Sequence, residues 1–511
     1  MTLNLPKIRK WALIGLLVVA SVVRLYRIAA TQTFLEDEGR DMLIVQRMID
    51  TKLPVLLGPQ TSTGNMYLGP LYYYFITPAL ILSHGDPIGP AVEIAISGVV
   101  TVALLYYLGK KWWGESAGFV ASILYAVLPY PVMFSRNSWN PNLAPLIMAL
   151  LLWAASEIKL GGKQKDKYRP VLYFGLLSGV LMQLHYMAMV GIGAVGIYVV
   201  STNFKEWKRL LVSLGIGLVG LMLTLSPFLV FEVRNNFVNS RALFGFLSGT
   251  TDDNIQYGLK FSQWSNKVVE TFRDIAAGQL GSSAFHPETA KSILSVILLV
   301  GLAMLLIYRR RIKPQGKMVV TTFIVSLLTL GFYQEFIHLH YLGFLLPIVY
   351  LFIGMASAVL PWKKIWIVAI CGIVLYNLPT LYSYINSGPT HQVEKAKAIA
   401  DYIATEAGDR PYNVVSRQLG QTAPFQYYLA QEKHRPSNNL ETTLFIICDG
   451  TPCNKDDETT TLLYLAGPSH PTLANYLFHP QVNEFNNPRT MIKDEHVKFG
   501  IWVAQLMITK E

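Results

Sequence analysis

The sequence predicts an all-α, polytopic membrane protein of about eleven spans, followed by a small α/β domain at its C-terminal end. Three observations predict it. Only 15% of the 511 residues are charged, against about 25% in soluble proteins. Apolar runs approaching the roughly 20 residues that a spanning helix needs recur as far as residue 382. Beyond that point the composition turns polar and short amphipathic and β-like patterns replace the long runs.

The runs fall at 11–30, 90–109, 116–134, 142–157, 171–184, 187–202, 210–231, 291–308, 318–335, 341–360 and 365–382. The first follows Lys7, Arg9 and Lys10 and resembles a signal peptide. No clean Ala-x-Ala site follows it, and Arg24 and Arg27 interrupt its end, so we read it as an uncleaved first span. Basic clusters follow the second, fourth, sixth, eighth and tenth runs, at Lys110-Lys111, 159–169, 205–209, 309–317 and Lys363-Lys364. Every second loop is thus basic. By the positive-inside rule these loops and the N-terminus are cytoplasmic, and the C-terminal domain is extracytoplasmic. The net charge of +11 is explained by these loops; with no motif or basic groove in support, nucleic acid is excluded as a partner.

Residues 170–202 are almost continuously apolar between two basic flanks. Parity requires two short passes with a turn at His185-Tyr186. Each pass, at about 1.5 Å per residue, falls short of the ~30 Å core, so the turn is expected to sit sunken in a protein-lined cavity. Two outer loops, 31–89 and 232–290, are long and carry amphipathic or aromatic stretches that suit a membrane surface. The chain divides into a membrane part, 1–382, and an outer domain, 383–511. That domain carries a helix pattern at Val393, Ala396, Ile399, Ala400 and Ile403 and a β-like run at 444–447. Of three cysteines, Cys448 and Cys453 flank an Asp-Gly-Thr-Pro turn. Their spacing leaves both a disulfide and two free thiols open.

The polar residues able to do chemistry gather on the outer side. Just after the first span, residues 34–41 read FLEDEGRD. The carboxylates of Glu36, Asp37, Glu38 and Asp41 crowd beside Arg40, as a general base, a metal site or a solvated helix start would have them. Residues 135–142 read SRNSWNPN. Arg136 there runs against the positive-inside trend, which suggests an anion held by its guanidinium fork. His185-Tyr186, Glu232 with Arg234, and the pair His338 and His340 complete the set. Two histidines at i and i+2 do not share a helix face and are a weak metal signature. Residues 61–74, TSTGNMYLGPLYYY, combine glycines and aromatics that suit a sugar, a prenyl chain or an ordinary aromatic belt.

Taken together, the ordered set resembles the GT-C glycosyltransferases, in the bacterial branch related to protein O-mannosyltransferases and to the aminoarabinose transferase of lipid A. Asp37-Glu38 after the first span carries the likeness, with YLGPLYYY, Arg136-Asn-Ser-Trp-Asn-Pro, His185-Tyr186, Glu232-Val-Arg234 and the stretch from Tyr341 to Pro347. The resemblance implies a GT-C membrane domain and a sugar donor linked to a polyprenyl phosphate. The acceptor would be a lipid, glycan or protein hydroxyl, in a bacterial inner membrane. Asp37 would be the base, with Glu38 positioning it or holding an acceptor or metal. Arg136, and more weakly Arg234, His338 and His340, would hold the donor phosphate. Asn65, Tyr67, Tyr72, Asn140, His185, Tyr186 and Glu232 would line the substrates. The lipid A enzymes carry a further acidic metal ligand in the first outer loop. The corresponding stretch here is rich in Gly, Asn and Tyr, so a divalent metal stays open and no cofactor is assigned. A flippase would need related halves and broken helices near the midplane, and a glycan ligase usually lacks the acidic pair after its first span. Both are therefore secondary readings.

Overall fold

The computed structural model describes residues 5–61, 66–161, 167–248, 263–281, 288–333, 336–388, 390–416, 423–431, 435–437, 439, 441–450, 452–453, 489–498 and 501–508. A helix lies in each of the eleven predicted spans: Leu5–Leu25, Ile88–Trp113, Glu115–Val127, Ala144–Glu157, Arg169–Leu184, Ala188–Asn203, Trp207–Arg234, Glu288–Ile307, Pro314–Leu330, Leu346–Val359 and Lys363–Ile385. Among the described residues, five stretches are long and apolar enough to cross a membrane by length and composition: Ile88–Trp113, Ala188–Arg234, Glu288–Ile307, Leu339–Val359 and Lys363–Ile385. The protein is a multi-pass membrane protein.

Local chemistry explains where the helices break. The third span stops at Leu128, whose ψ of 143° is extended, a conformation that the ring of the following Pro129 favours over the helical one. A short helix, Pro129–Phe134, then resumes. Two short helices lie where parity draws two passes: Arg169–Leu184 and Ala188–Asn203 hold 16 residues each, with His185, Tyr186 and Met187 between them. The sequence reading missed the helices Leu71–Leu82 and Trp264–Leu280, which lie within the long segments 31–89 and 232–290.

The chain forms two compact units. The first comprises Met1–Ile28, Val55–Ile76 and Pro90–Ser387; the second comprises Ala29–Pro54, Thr77–Gly89 and Gly388–Glu511. This differs from a division at residue 382, since residues 29–54 and 77–89 cluster with the C-terminal part. In the first unit small residues allow close helix approach. A side chain at Gly175 would collide with the Gly217 carbonyl, and one at Gly220 with that of Leu172, so Arg169–Leu184 and Trp207–Arg234 meet backbone to backbone, as membrane helices do.

The second unit holds a four-stranded sheet: β1 (Tyr412–Ser416), β2 (Thr443–Asp449), β3 (Arg489–Lys498) and β4 (Ile501–Ile508), in the order β1-β2-β4-β3. β1 runs parallel to β2; the other pairs are antiparallel. The helix Gln392–Ala407 buries Ala396, Ile399, Ala400, Ile403 and Ala407, a stripe at helical spacing. Cys448 and Cys453 form a disulfide inside an apolar cluster with Val415, Leu444, Ile446 and Ala504.

Candidate functional site

The sequence-derived site residues fall into two groups, one in each unit. In the second unit the acidic run forms the start of the amphipathic helix Glu36–Thr51. Glu36, Asp37 and Glu38 occupy its first turn, where carboxylates complement the helix dipole. Their environments then diverge. Glu38 is buried; its Oε1 accepts from the Thr33 hydroxyl at 2.5 Å and its Oε2 from the Leu35 amide at 3.1 Å. It thus caps its own helix, satisfying an otherwise orphaned amide. Burial pushes its carboxyl above the ordinary glutamate range, which the Thr33 hydrogen bond opposes. Glu36 Oε2 accepts from the Ala423 amide at 3.1 Å. Asp41 is fully buried and takes two hydrogen bonds from Arg40, from Nε at 3.1 Å and from a terminal nitrogen at 2.8 Å.

Asp37 differs from the other three. Its side chain is 43% exposed, and Oδ1 alone is engaged, by Arg40 at 2.7 Å. Its second oxygen has no partner among the described residues. One arm of Arg40 rests on buried Asp41 and the other fixes the Asp37 rotamer, leaving a carboxylate oxygen free to accept a proton.

In the first unit two buried arginines make reciprocal helix caps. Arg24 donates to the carbonyls of Tyr125 at 2.7 Å and Ala126 at 3.0 Å, at the end of Glu115–Val127, and to Ser135 Oγ at 2.8 Å. Arg136 donates to the carbonyls of Val23 at 2.7 Å, Arg24 at 3.2 Å and Tyr26 at 2.9 Å, at the end of Leu5–Leu25. Its guanidinium also lies 5.7 Å from the Tyr384 ring. Cations at a helix C-terminus satisfy its last carbonyls and oppose the dipole. Arg136, expected to hold a donor phosphate, is only 1% exposed, and both terminal nitrogens donate to carbonyls.

Other expected substrate contacts are also built into scaffolding. Glu232 is buried and its carboxylate accepts from the amides of Asn239 at 3.1 Å and Ser240 at 2.8 Å, capping Val238–Ser248. Asn239 Oδ1 accepts from the Tyr67 amide at 2.8 Å, and the Tyr67 carbonyl accepts from the Tyr186 hydroxyl at 2.5 Å. Glu232, Tyr67 and Tyr186 thus belong to one relay that ties residues 66–68 to two distant turns. Tyr72 shares a 2.9 Å hydrogen bond with Ser138, and Asn140 donates to the Leu184 carbonyl at 2.6 Å. Asn65 lies outside the described residues.

The histidines come together. His340 lies 4.3 Å from Trp139, 5.4 Å from His338 and 6.1 Å from His185 between ring centroids, and the Tyr341 ring touches all three imidazoles. His185 Nδ1 accepts from the Met187 amide at 3.2 Å, which places the proton of the neutral ring on Nε2. His338 is exposed, and Arg234 is exposed at the end of its helix. Among the described residues no group of three or more His, Cys, Asp or Glu is arranged to hold a metal ion.

The chain is similar in fold to ArnT from Cupriavidus metallidurans. The undecaprenyl phosphate-bound crystal structure matches at 12% identity and a TM-score of 0.61, covering 96% of this chain and 97% of that one. The apo form matches at 14% identity and a TM-score of 0.58, covering 97% and 98%. An oligosaccharyltransferase from Archaeoglobus fulgidus, in complex with zinc and sulfate, matches at 11% identity and a TM-score of 0.49, covering 86% of this chain and 67% of that one. Residues 68–231 match the family described as dolichyl-phosphate-mannose-protein mannosyltransferase. Comparison with curated protein sequences found no match.

Proposed function

We propose that the protein transfers a sugar from a polyprenyl-phosphate donor to a hydroxyl acceptor at the extracytoplasmic face of a bacterial inner membrane, with inversion at the anomeric carbon. The observation that carries this reading is the singular state of Asp37: of four clustered carboxylates, it has an exposed side chain and an oxygen without a partner among the described residues. The fold shared with an ArnT bound to undecaprenyl phosphate supports a lipid-linked donor, and the match of residues 68–231 supports sugar transfer.

In this mechanism Asp37 takes the proton of the acceptor hydroxyl as its oxygen attacks the anomeric carbon. The bond from that carbon to the phosphate oxygen breaks, and the polyprenyl phosphate leaves with the electron pair. Arg40 holds Asp37 in place. Of the residues expected to hold the donor phosphate, Arg234 and His338 are exposed. Glu38 acts through the helix it caps, without touching the acceptor.

Purified protein in lipid nanodiscs, given a panel of polyprenyl-phosphate sugars and candidate acceptors, is expected to release free polyprenyl phosphate with at least one donor. Folded protein that releases none from any donor, while moving labelled lipid-linked glycans between leaflets, would replace the transferase by a flippase.

A further inference from the structure

The first turn of the helix Glu36–Thr51 is gripped from several sides by the C-terminal part of the same unit. Gln392 Oε1 accepts from the Phe34 amide at 2.6 Å, and the Ala30 carbonyl accepts from the Thr390 amide at 2.9 Å. Glu36 accepts from the Ala423 amide at 3.1 Å. The Phe34 ring meets Tyr427 at 6.0 Å and Tyr428 at 6.1 Å, both edge-on. A side chain at Gly39 would collide with the backbone of Pro424. The helix Ala423–Leu429 is itself anchored, since the Tyr427 hydroxyl donates to the Gly85 carbonyl at 2.6 Å. These contacts fall on residues 30–39 and so flank Asp37 on both sides in sequence.

We propose that the C-terminal segment is a positioning device for the transfer step: Gln392 and the helix Ala423–Leu429, acting through Phe34, Glu36 and Gly39, set the direction in which Asp37 presents its free oxygen. This rests on the transferase reading of Asp37. The contacting groups are backbone amides, an amide side chain and rings, none of which does acid–base chemistry at neutral pH, so their contribution is geometric. Such a contribution is sufficient, because misplacing a reacting group by about 1 Å costs on the order of a hundredfold in rate. The role also explains why the C-terminal segment and residues 29–54 form one compact unit.

The test uses the full-length protein in nanodiscs with a donor that the wild type consumes. Glu36→Ala and Gln392→Ala each remove one acceptor; Glu36→Gln keeps an oxygen for the Ala423 amide and drops the charge. The two alanine variants are expected to lower kcat by about tenfold to a hundredfold with donor KM little changed, and Glu36→Gln to keep wild-type turnover. Hydrogen exchange should show faster exchange of the amides of residues 36–41 in the alanine variants. Alanine variants with wild-type kcat and wild-type protection would overturn the proposal. So would a Glu36→Gln variant as impaired as Glu36→Ala, which would assign the effect to charge. A wild type without turnover would overturn the transferase reading and the positioning role together, whereas an active wild type with unaffected alanine variants overturns the positioning role alone.

Discussion

Asp37 and Glu38 are neighbours in sequence and opposites in environment, one half-exposed and held by Arg40, the other buried as a helix cap. The acidic pair and its place after the first span are legible in the sequence. Which member keeps a free oxygen is not, because that depends on Thr33, Arg40 and the distant Ala423. Arg136 teaches the same lesson more sharply. The sequence suggests an anion partner for Arg136, whereas the carbonyls at 23–26 that it contacts lie more than 100 positions away. Arg136→Ala is therefore expected to act on stability. Removing a buried cation and orphaning the carbonyls it serves should cost about 3 kcal/mol, read as a lowered unfolding midpoint in detergent, with donor KM unchanged in the protein that remains folded. A selective rise in donor KM at unchanged stability would return Arg136 to the phosphate. Arg234→Ala, at an exposed position, should leave the midpoint within about 0.5 kcal/mol of wild type and raise donor KM; an unaltered KM removes it from the donor site.

The helices were mostly legible because bilayer thickness imposes a length that composition reveals. Even the break between the two short helices around His185 was expected from loop charge and parity. Leu71–Leu82 escaped because its twelve residues fall below a span's length and its tyrosines read as a membrane-surface belt. The helix Glu36–Thr51 carries two predictions. First, the Glu38 carboxyl holds its proton to a higher pH in the folded chain than in the unfolded one, because it is buried. The folded state therefore binds more protons across the window from the ordinary value near about 4.3 up to the raised one. Its stability contribution is complete below that window, falls as pH rises through it and is flat above. Melts from about pH 4 to about pH 7 should show a downward slope in wild type that Glu38→Gln reduces; superimposable slopes would remove Glu38 as the titrating group. Second, Gly39→Ala should destabilise the unit by about 1–3 kcal/mol through overpacking against Pro424, measured as a lowered midpoint. A neutral outcome would mean that the helix Ala423–Leu429 can shift at no cost.

At the scale of the whole molecule, a helical multi-pass membrane part and a small C-terminal sheet were both foreseen, and the fold shared with ArnT agrees with the overall class. The grouping of residues 29–54 and 77–89 with the C-terminal segment was not foreseen. Sequence patterns report local periodicity, whereas that grouping is made by contacts between positions more than 300 apart, such as Phe34 with Gln392. Orientation rests on loop charge, so a reporter fused after residue 390 is expected on the extracytoplasmic side, and a cytoplasmic signal would reverse the placement of every outer-face residue. The most direct test of the central claim is the steady-state turnover of Asp37→Asn in nanodiscs beside wild type, with a donor the wild type consumes. The substitution keeps the size and removes the base. The account predicts a kcat lowered by about 10²–10⁴, donor KM little changed and an unaltered melting midpoint. Wild-type turnover by folded Asp37→Asn would contradict it.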